Sequence, residues 1–417
     1  MTQSNDTKAC LHRNTRVLFR NKRNQTYVMT NDTGSEQDLL RVFFADIHGK
    51  ITAEGFLLGS LFAHDPYIIP DLEKLSCSFS ALNPGYFVAD PVVDGLLGQA
   101  AGDAFGVPVE FMERSAVREL GLKDMVGKDT PLTFSSRWGN LIPAGAWSDD
   151  TSMTIAAMAS VIQHGGVIDH DDVMKQFLAW WDEGMYSSLS FPFGLGNNIS
   201  HAMARYRRGT PALACGGKDL MDNGNGALMR IFPFAMYCIR KNLPQDEALS
   251  VIRNAAGLTH GHEINAMSCF IYTLFLDECL RTRNPEKAYR NALPGNTAFF
   301  RRTFSEETVE AHADLFQLNR SSFDPDSIPE SGYVVDSLTI ALYSILHTAN
   351  YEDAVSMAVN FGYDTDTDGA ITGSIAGAMY GQSQIPERWL NRLLKKELLT
   401  SIGQQFSQNI SADSRPD

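Results

Sequence analysis

The 417-residue chain predicts an all-α fold, a compact multi-helix body with a small N-terminal extension. Three observations carry that expectation. From about Asp90 onward apolar residues recur at helical spacing, strand-type alternation is nearly absent there, and two segments place small residues along one helical face. With 44% apolar residues, the chain is long enough to bury one large core or two ordinary ones.

Taken in order, residues 1 to about 35 are polar with little periodicity, and 37–75 mix apolar and polar residues in a way that predicts short strands and one or two helices. Asn83-Pro84-Gly85 punctuates the chain. The first helical segment, 94–106, carries Gly95, Gly98, Gly102 and Gly106. Further helices are expected over 150–163, 171–183, 198–207, 245–256, 262–281, 335–348 and 351–360. A last one, 368–380, carries Gly369, Gly373 and Gly377, with Gly381 just after it, at a strict four-residue spacing that puts them on one face. A glycine inside a helix costs about 1 kcal/mol relative to alanine, so the two small-residue faces are expected to pack against each other. The proline-broken stretch 282–331 reads as a long surface excursion. The domain plan is therefore an extension over 1–88, a body over 89–403 and a loose tail over 404–417.

Composition excludes several classes. A net charge of −14 argues against nucleic-acid binding. No apolar run is long enough to span a membrane and the polar start lacks a signal peptide, so a cytoplasmic protein is expected. Cys10, Cys77, Cys215, Cys238, Cys269 and Cys279 have no CxxC spacing, which leaves buried or idle thiols. Charge is uneven: Lys8, Arg13, Arg16, Arg20, Lys22 and Arg23 stand against Asp6 alone in the first thirty residues. Such an arm fits self-association or an acidic partner, or else a solvated terminus.

Chemistry points to two distant acidic clusters, Trp147-Ser148-Asp149-Asp150-Thr151 and Gly362-Tyr363-Asp364-Thr365-Asp366-Thr367. Either one alone reads first as a helix N-cap. Together, four carboxylates converging on one spot would repel unless cations sat among them, so a two-metal site is the hypothesis they raise. An EF-hand is rejected because the twelfth position of the loop starting at Asp364 is Ile375. The glycine-rich segments Phe193-Gly194-Leu195-Gly196-Asn197 and Asn223-Gly224-Asn225-Gly226 offer backbone N–H groups to an anion, or are plain turns; neither is a Walker loop. His260 and His262 lack zinc-ligand partners and read as helix-capping residues.

The order of these motifs resembles the ADP-ribosylglycohydrolase family, of the dinitrogenase reductase-activating type. Gly102-Asp103-Ala104-Phe105-Gly106 with Glu110, then Trp147 to Met153, Gly194 to Asn197, Asn223 to Arg230, Thr259 to His262 and Gly362 to Gly381 carry the likeness, which spans about Asp94 to Trp389. Residues 1 to about 88 fall outside it. The resemblance implies a hydrolase that removes ADP-ribose from a modified protein side chain, arginine first, using two Mg²⁺ or Mn²⁺ ions. It assigns Ser148, Asp149, Asp150, Asp364, Asp366 and Thr367 to metal, with Glu110, Asp149 and Asp366 catalytic. Asp103, Gly196, Asn197, Asn225, Gly226 and His260 are assigned to substrate. Extended members of the family resemble immunity proteins against a secreted ADP-ribosyltransferase toxin, which makes residues 1–88 a candidate toxin-binding arm. Two alternatives stay open: a module that blocks a toxin stoichiometrically, and a hydrolase of serine-linked or free ADP-ribose derivatives. Independently of family, cleaving an N-glycosidic bond passes through an oxocarbenium-like state and needs an activated water, and hard oxygen ligands suit Mg²⁺ or Mn²⁺.

Overall fold

A computed structural model describes residues 16–20, 26–30, 39–45, 51–58, 90–319 and 322–411. The chain forms two compact units, Met1–Ala89 and Asp90–Asp417. In the first, β1 (Arg16–Arg20), β2 (Thr26–Thr30), β3 (Leu39–Ala45) and β4 (Ile51–Leu58) make an antiparallel meander in sequence order. Pairing runs Leu18 to Val28, Met29 to Val42 and Val42 to Gly55, with an irregularity at Phe44/Ala45. Strands were expected only from residue 37; β1 and β2 arise earlier, from the short runs Arg-Val-Leu-Phe-Arg and Thr-Tyr-Val-Met-Thr. The helices expected before residue 75 lie outside the described residues.

The second unit is all-α. Its helices are α1 (Pro91–Gly106), α2 (Arg114–Leu120), α3 (Asp149–Gln163), α4 (His170–Glu183), α5 (Asn197–Arg207), α6 (Phe232–Arg240), α7 (Gln245–Gly257) and α8 (Glu263–Thr282). They continue as α9 (Pro285–Ala292), α10 (Thr297–Thr303), α11 (Glu306–Ala311), α12 (Val334–Leu346), α13 (Tyr351–Val359), α14 (Thr365–Tyr380), α15 (Glu387–Arg392) and α16 (Lys396–Asn409). No helix among the described residues is long and apolar enough to cross a membrane. Cys215, Cys238, Cys269 and Cys279 are buried free thiols.

Helices α1 and α14 form the centre. Asp90 caps α1 by accepting from the Val92 N–H at 3.0 Å, and Pro91 presets its first turn. Both helices are buried on nearly every side, as expected of helices with apolar or small residues all round. They run antiparallel with the glycine faces together: a methyl group at Gly98, Gly102 or Gly106 would collide with the backbone at Gly373, Gly369 or Thr365. The contact is backbone to backbone, and the close approach offsets the helix-propensity cost of the glycines. Its consequence is positional. The C-terminus of α1 and the N-terminus of α14 are pinned together, and the Thr365 hydroxyl donates to the Gly106 carbonyl at 2.9 Å. Buried Gln99, in mid-α1, donates to the Asp150 carbonyl, the Thr154 hydroxyl and the Met229 carbonyl, so α3 and the 223–230 loop are hung on the same helix.

Two expectations are corrected. The 282–331 stretch is not a surface excursion: it holds α9, α10 and α11 and buries Ala288, Tyr289, Leu293, Phe300 and Leu315. Its prolines and polar residues start short helices and coat their outer faces. The tail expected from 404 is helical through Asn409, because Phe406 and Ile410 are apolar at helical spacing and are fully buried.

Candidate active site

A cleft of about 360 Å³ opens where α1 ends and α3, α5 and α14 begin. Glu110, Asp149, Asp150, Gly196, Asn197, Asn225, Gly226, His260, Asp364, Asp366 and Thr367 all line it. The chain thus brings together residues up to 257 positions apart, between Glu110 and Thr367, because α1 and α14 are locked and Gln99 sets the rest.

Glu110, Asp364 and Asp366 each turn one carboxylate oxygen to within 4.8 Å of the others. Asp366 Oδ1 and Asp150 Oδ1 are buried without any hydrogen-bond partner. Burial pushes every one of these acids up: Glu110 to about 8, with Asp364 adding repulsion, and Asp149, Asp150 and Asp366 well above the usual carboxylate range. Asp364 is raised less, since Asn225 and Thr367 donate to it; the Asn225 amide sits 2.8 Å from Asp364 Oδ2 and 2.9 Å from the Ser337 hydroxyl. The Trp138 indole N–H donates to Glu110 Oε2 and fixes that side chain.

Gly194, with φ of 95°, lies so close to the Asp149 carboxylate that any side chain there would strike it. His260 is buried and held neutral, its imidazole pushed down to about 3 by burial and by nearby Arg230. The Arg230 guanidinium donates to the Thr259 hydroxyl at 2.6 Å, and that hydroxyl lies 2.8 Å from His260 Nδ1. His262 caps α8, accepting from the Ile264 N–H at 3.2 Å.

Two assigned residues sit behind the cleft. Asp103, expected at the substrate, is fully buried, and its carboxylate is used up on the Ser148 N–H (2.9 Å), the Thr151 N–H (3.1 Å) and the Thr151 hydroxyl (2.7 Å). It is the anchor of the Ser148–Thr151 turn. Ser148, expected among metal ligands, caps α3, and its hydroxyl donates to Asp150 Oδ2 at 3.0 Å. Residues that sequence reasoning missed include Phe111, Tyr363, Trp138 and Gly332. Trp138 lies in a loop without periodicity. Gly332 reaches the cleft because its carbonyl accepts from the Asn225 N–H at 3.0 Å and Val334 donates to the Asn223 carbonyl, zipping the end of the supposed excursion onto the 223–225 loop.

The model of the ADP-ribosylglycohydrolase family matches residues 86–415. The chain belongs to that family. An ADP-ribosylarginine hydrolase Tri1 of Serratia proteamaculans is 29% identical over 344 residues, covering 82% of this chain and 81% of the relative. The ADP-ribosyl-dinitrogen reductase glycohydrolase of Rhodospirillum rubrum is 28% identical, covering 74% of this chain and 92% of the relative. A solved ADP-ribosylglycohydrolase-related protein complex superposes with a TM-score of 0.60 at 28% identity, covering 77% of this chain and 98% of its own. The two named relatives are glycohydrolase enzymes, and the all-α body shares its fold with the solved structure.

Proposed function

We propose that this protein hydrolyses the bond between ADP-ribose and a modified arginine side chain, with two Mg²⁺ or Mn²⁺ ions in the acidic cleft. The observation that carries the reading is the convergence of Glu110, Asp149, Asp150, Asp364 and Asp366 with buried oxygens on Asp150 and Asp366 that nothing else satisfies. A hard divalent ion fits such a set, whose donors are all oxygen. Asp149, Asp150, Asp364, Asp366 and Thr367 would hold it, with Ser148 shaping the turn. Bound there, the ions would engage ribose hydroxyls and make a nearby water more acidic.

The protein's own groups supply the rest. The exposed residues Gly196 and Asn197 open α5, whose N-terminal N–H groups would face the diphosphate, and Asn225 and Gly226 line the cleft beside them. His260, neutral and with Nδ1 engaged by Thr259, offers its other nitrogen toward the same loop. Glu110, held by Trp138, moves the proton: water adds its oxygen to the anomeric carbon, the carbon–nitrogen bond breaks, and the proton ends on the departing guanidine. Asp103 acts by positioning the Ser148–Thr151 turn.

Catalytic amounts of the chain incubated with arginine-ADP-ribosylated protein and Mn²⁺ should release many equivalents of ADP-ribose, and EDTA should stop release. Stoichiometric protection without turnover would replace this reading with a blocking module. The basic start of the chain and its separate N-terminal unit support a second role for residues 1–88, binding an ADP-ribosyltransferase toxin in the cytoplasm. Deleting 1–88 should leave hydrolysis intact and weaken binding to such a transferase; unchanged binding would remove the proposal.

A further inference from the structure

Phe111 and Tyr363 line the mouth of the cleft and leave large parts of their rings in water, at 46% and 39% exposure. Both are bulky residues held in left-handed backbone, each with φ of 63°, a conformation that non-glycine residues avoid. The two are locked to one another: the Phe111 N–H donates to the Tyr363 carbonyl at 2.5 Å, and the Tyr363 N–H to the Met112 carbonyl at 2.7 Å. Their rings meet edge to face with centroids 5.5 Å apart. Each is the chain neighbour of a cluster carboxylate, Glu110 and Asp364. Packing explains none of this, since rings serving a core would be buried and a tight turn would use glycine.

We infer that Phe111 and Tyr363 form a platform for the guanidinium of the modified arginine and make the site selective for that linkage; the inference rests on the arginine reading above. A guanidinium is planar, cationic and weakly hydrated, so it gains from an aromatic face beside carboxylates. Phe111 already accepts such a group: the Arg137 guanidinium lies 5.0 Å from its ring centroid and 4.9 Å from that of Trp138. A serine-linked substrate would leave as an alcohol, with neither charge nor a planar face to stack. The rings stand where the leaving group must be, next to Glu110, the group assigned to protonate it.

The test uses the full chain with Mn²⁺ and ADP-ribosyl-agmatine, a substrate with no protein surface. Phe111→Leu and Tyr363→Leu should each raise KM about tenfold with kcat changed less than about threefold. The inhibition constant of agmatine should rise by the same factor and that of ADP-ribose should stay put. Phe111→Tyr and Tyr363→Phe, which keep an aromatic face, should recover most of the KM and agmatine affinity that the leucine variants lose. The rise in Tm produced by Mn²⁺ checks that each variant folds. In the native chain, agmatine should also shift the ring resonances of both residues, a readout that needs no substitution. Unchanged KM and agmatine inhibition, unmoved ring resonances, or equal weakening of ADP-ribose would each overturn the platform. A wild-type chain that cleaves serine-linked but not arginine-linked ADP-ribose would overturn the arginine reading itself, and the platform with it.

Discussion

Where α1 ends and α14 begins, Glu110, Asp364 and Asp366 converge with Asp149 and Asp150 close by; at the opposite end of the same helix pair stands Asp94, a single buried carboxylate. Asp94 accepts a backbone N–H from Gln382 and feels the positive charge of Arg283, and although one of its oxygens has no partner, burial lifts it only to about 7. In the cleft the acids raise one another, with several pushed well above the usual carboxylate range. A lone buried acid is partly compensated by neighbours and can hold a proton. In the cluster of five the Arg137 guanidinium favours ionised Glu110, but it is one positive charge beside five acids, so most of their ionised charge would have to be balanced from outside the chain. Burial alone is therefore a poor sign of function, whereas uncompensated convergence is a good one.

The sharpest way to break that comparison is to remove one acid from each end. Asp366→Ala should lower hydrolysis on the order of 10³-fold or more and abolish the Mn²⁺-induced rise in Tm, while Asp94→Asn should keep both. A Tm rise that survives Asp366→Ala would mean the cations bind elsewhere.

Glu110→Gln comes next. It preserves shape and removes the proton carrier, so the rate should fall by roughly 10² to 10⁴ with ADP-ribose still bound, as calorimetry would report. Native turnover by this variant would reduce Glu110 to a structural role.

A third substitution tests the scaffold that the two ends share. Gly102→Ala adds a methyl group against the Gly369 backbone, where no flexible side chain exists to yield. Despite the better helix propensity of alanine, we expect a loss of about 1–3 kcal/mol in urea unfolding, with a drop in activity as Glu110 and Asp364 separate. A gain in stability would show that the helices are not in backbone contact.

That contact was legible before any coordinates, because four-residue glycine spacing has no cheaper explanation than a close helix partner. The acidic clusters and the glycine loops were legible for a related reason: each is a local pattern with a strong chemical constraint. What was hidden depends on tertiary placement. Asp103 looks like a cleft residue in sequence, yet three donors from the Ser148–Thr151 turn claim it first. Phe111 and Tyr363 carry no signal at all, since left-handed φ and ring exposure are set by the backbone pairing between two distant loops. The helices of 282–331 were missed because each is a turn or two long, too short for periodicity to stand out among prolines.

The smallest expected effect belongs to Asp94 and is a matter of sign. The group ionises near 3.8 in its ordinary state and at about 7 in the fold, so between these values the folded chain holds a proton that the unfolded chain has released. Native stability must then fall as pH rises through that window, and the full cost is present above about pH 7. Asp94→Asn has no proton to lose. Its stability relative to wild type should be near zero at pH 4 and grow toward pH 8. Three units at about 1.4 kcal/mol each set a ceiling of roughly 4 kcal/mol, in which the attraction to Arg283 is already counted, and relaxation around the buried charge should bring the observed gain to about 1–2 kcal/mol. Urea unfolding of both proteins at pH 4.5, 6 and 8 reads it directly, with hydrolysis measured in parallel. A flat difference across pH would mean that Asp94 stays ionised in the fold and is better compensated than its surroundings indicate. A growing difference without loss of activity would show that one end of the helix pair carries a removable cost and the other an indispensable one.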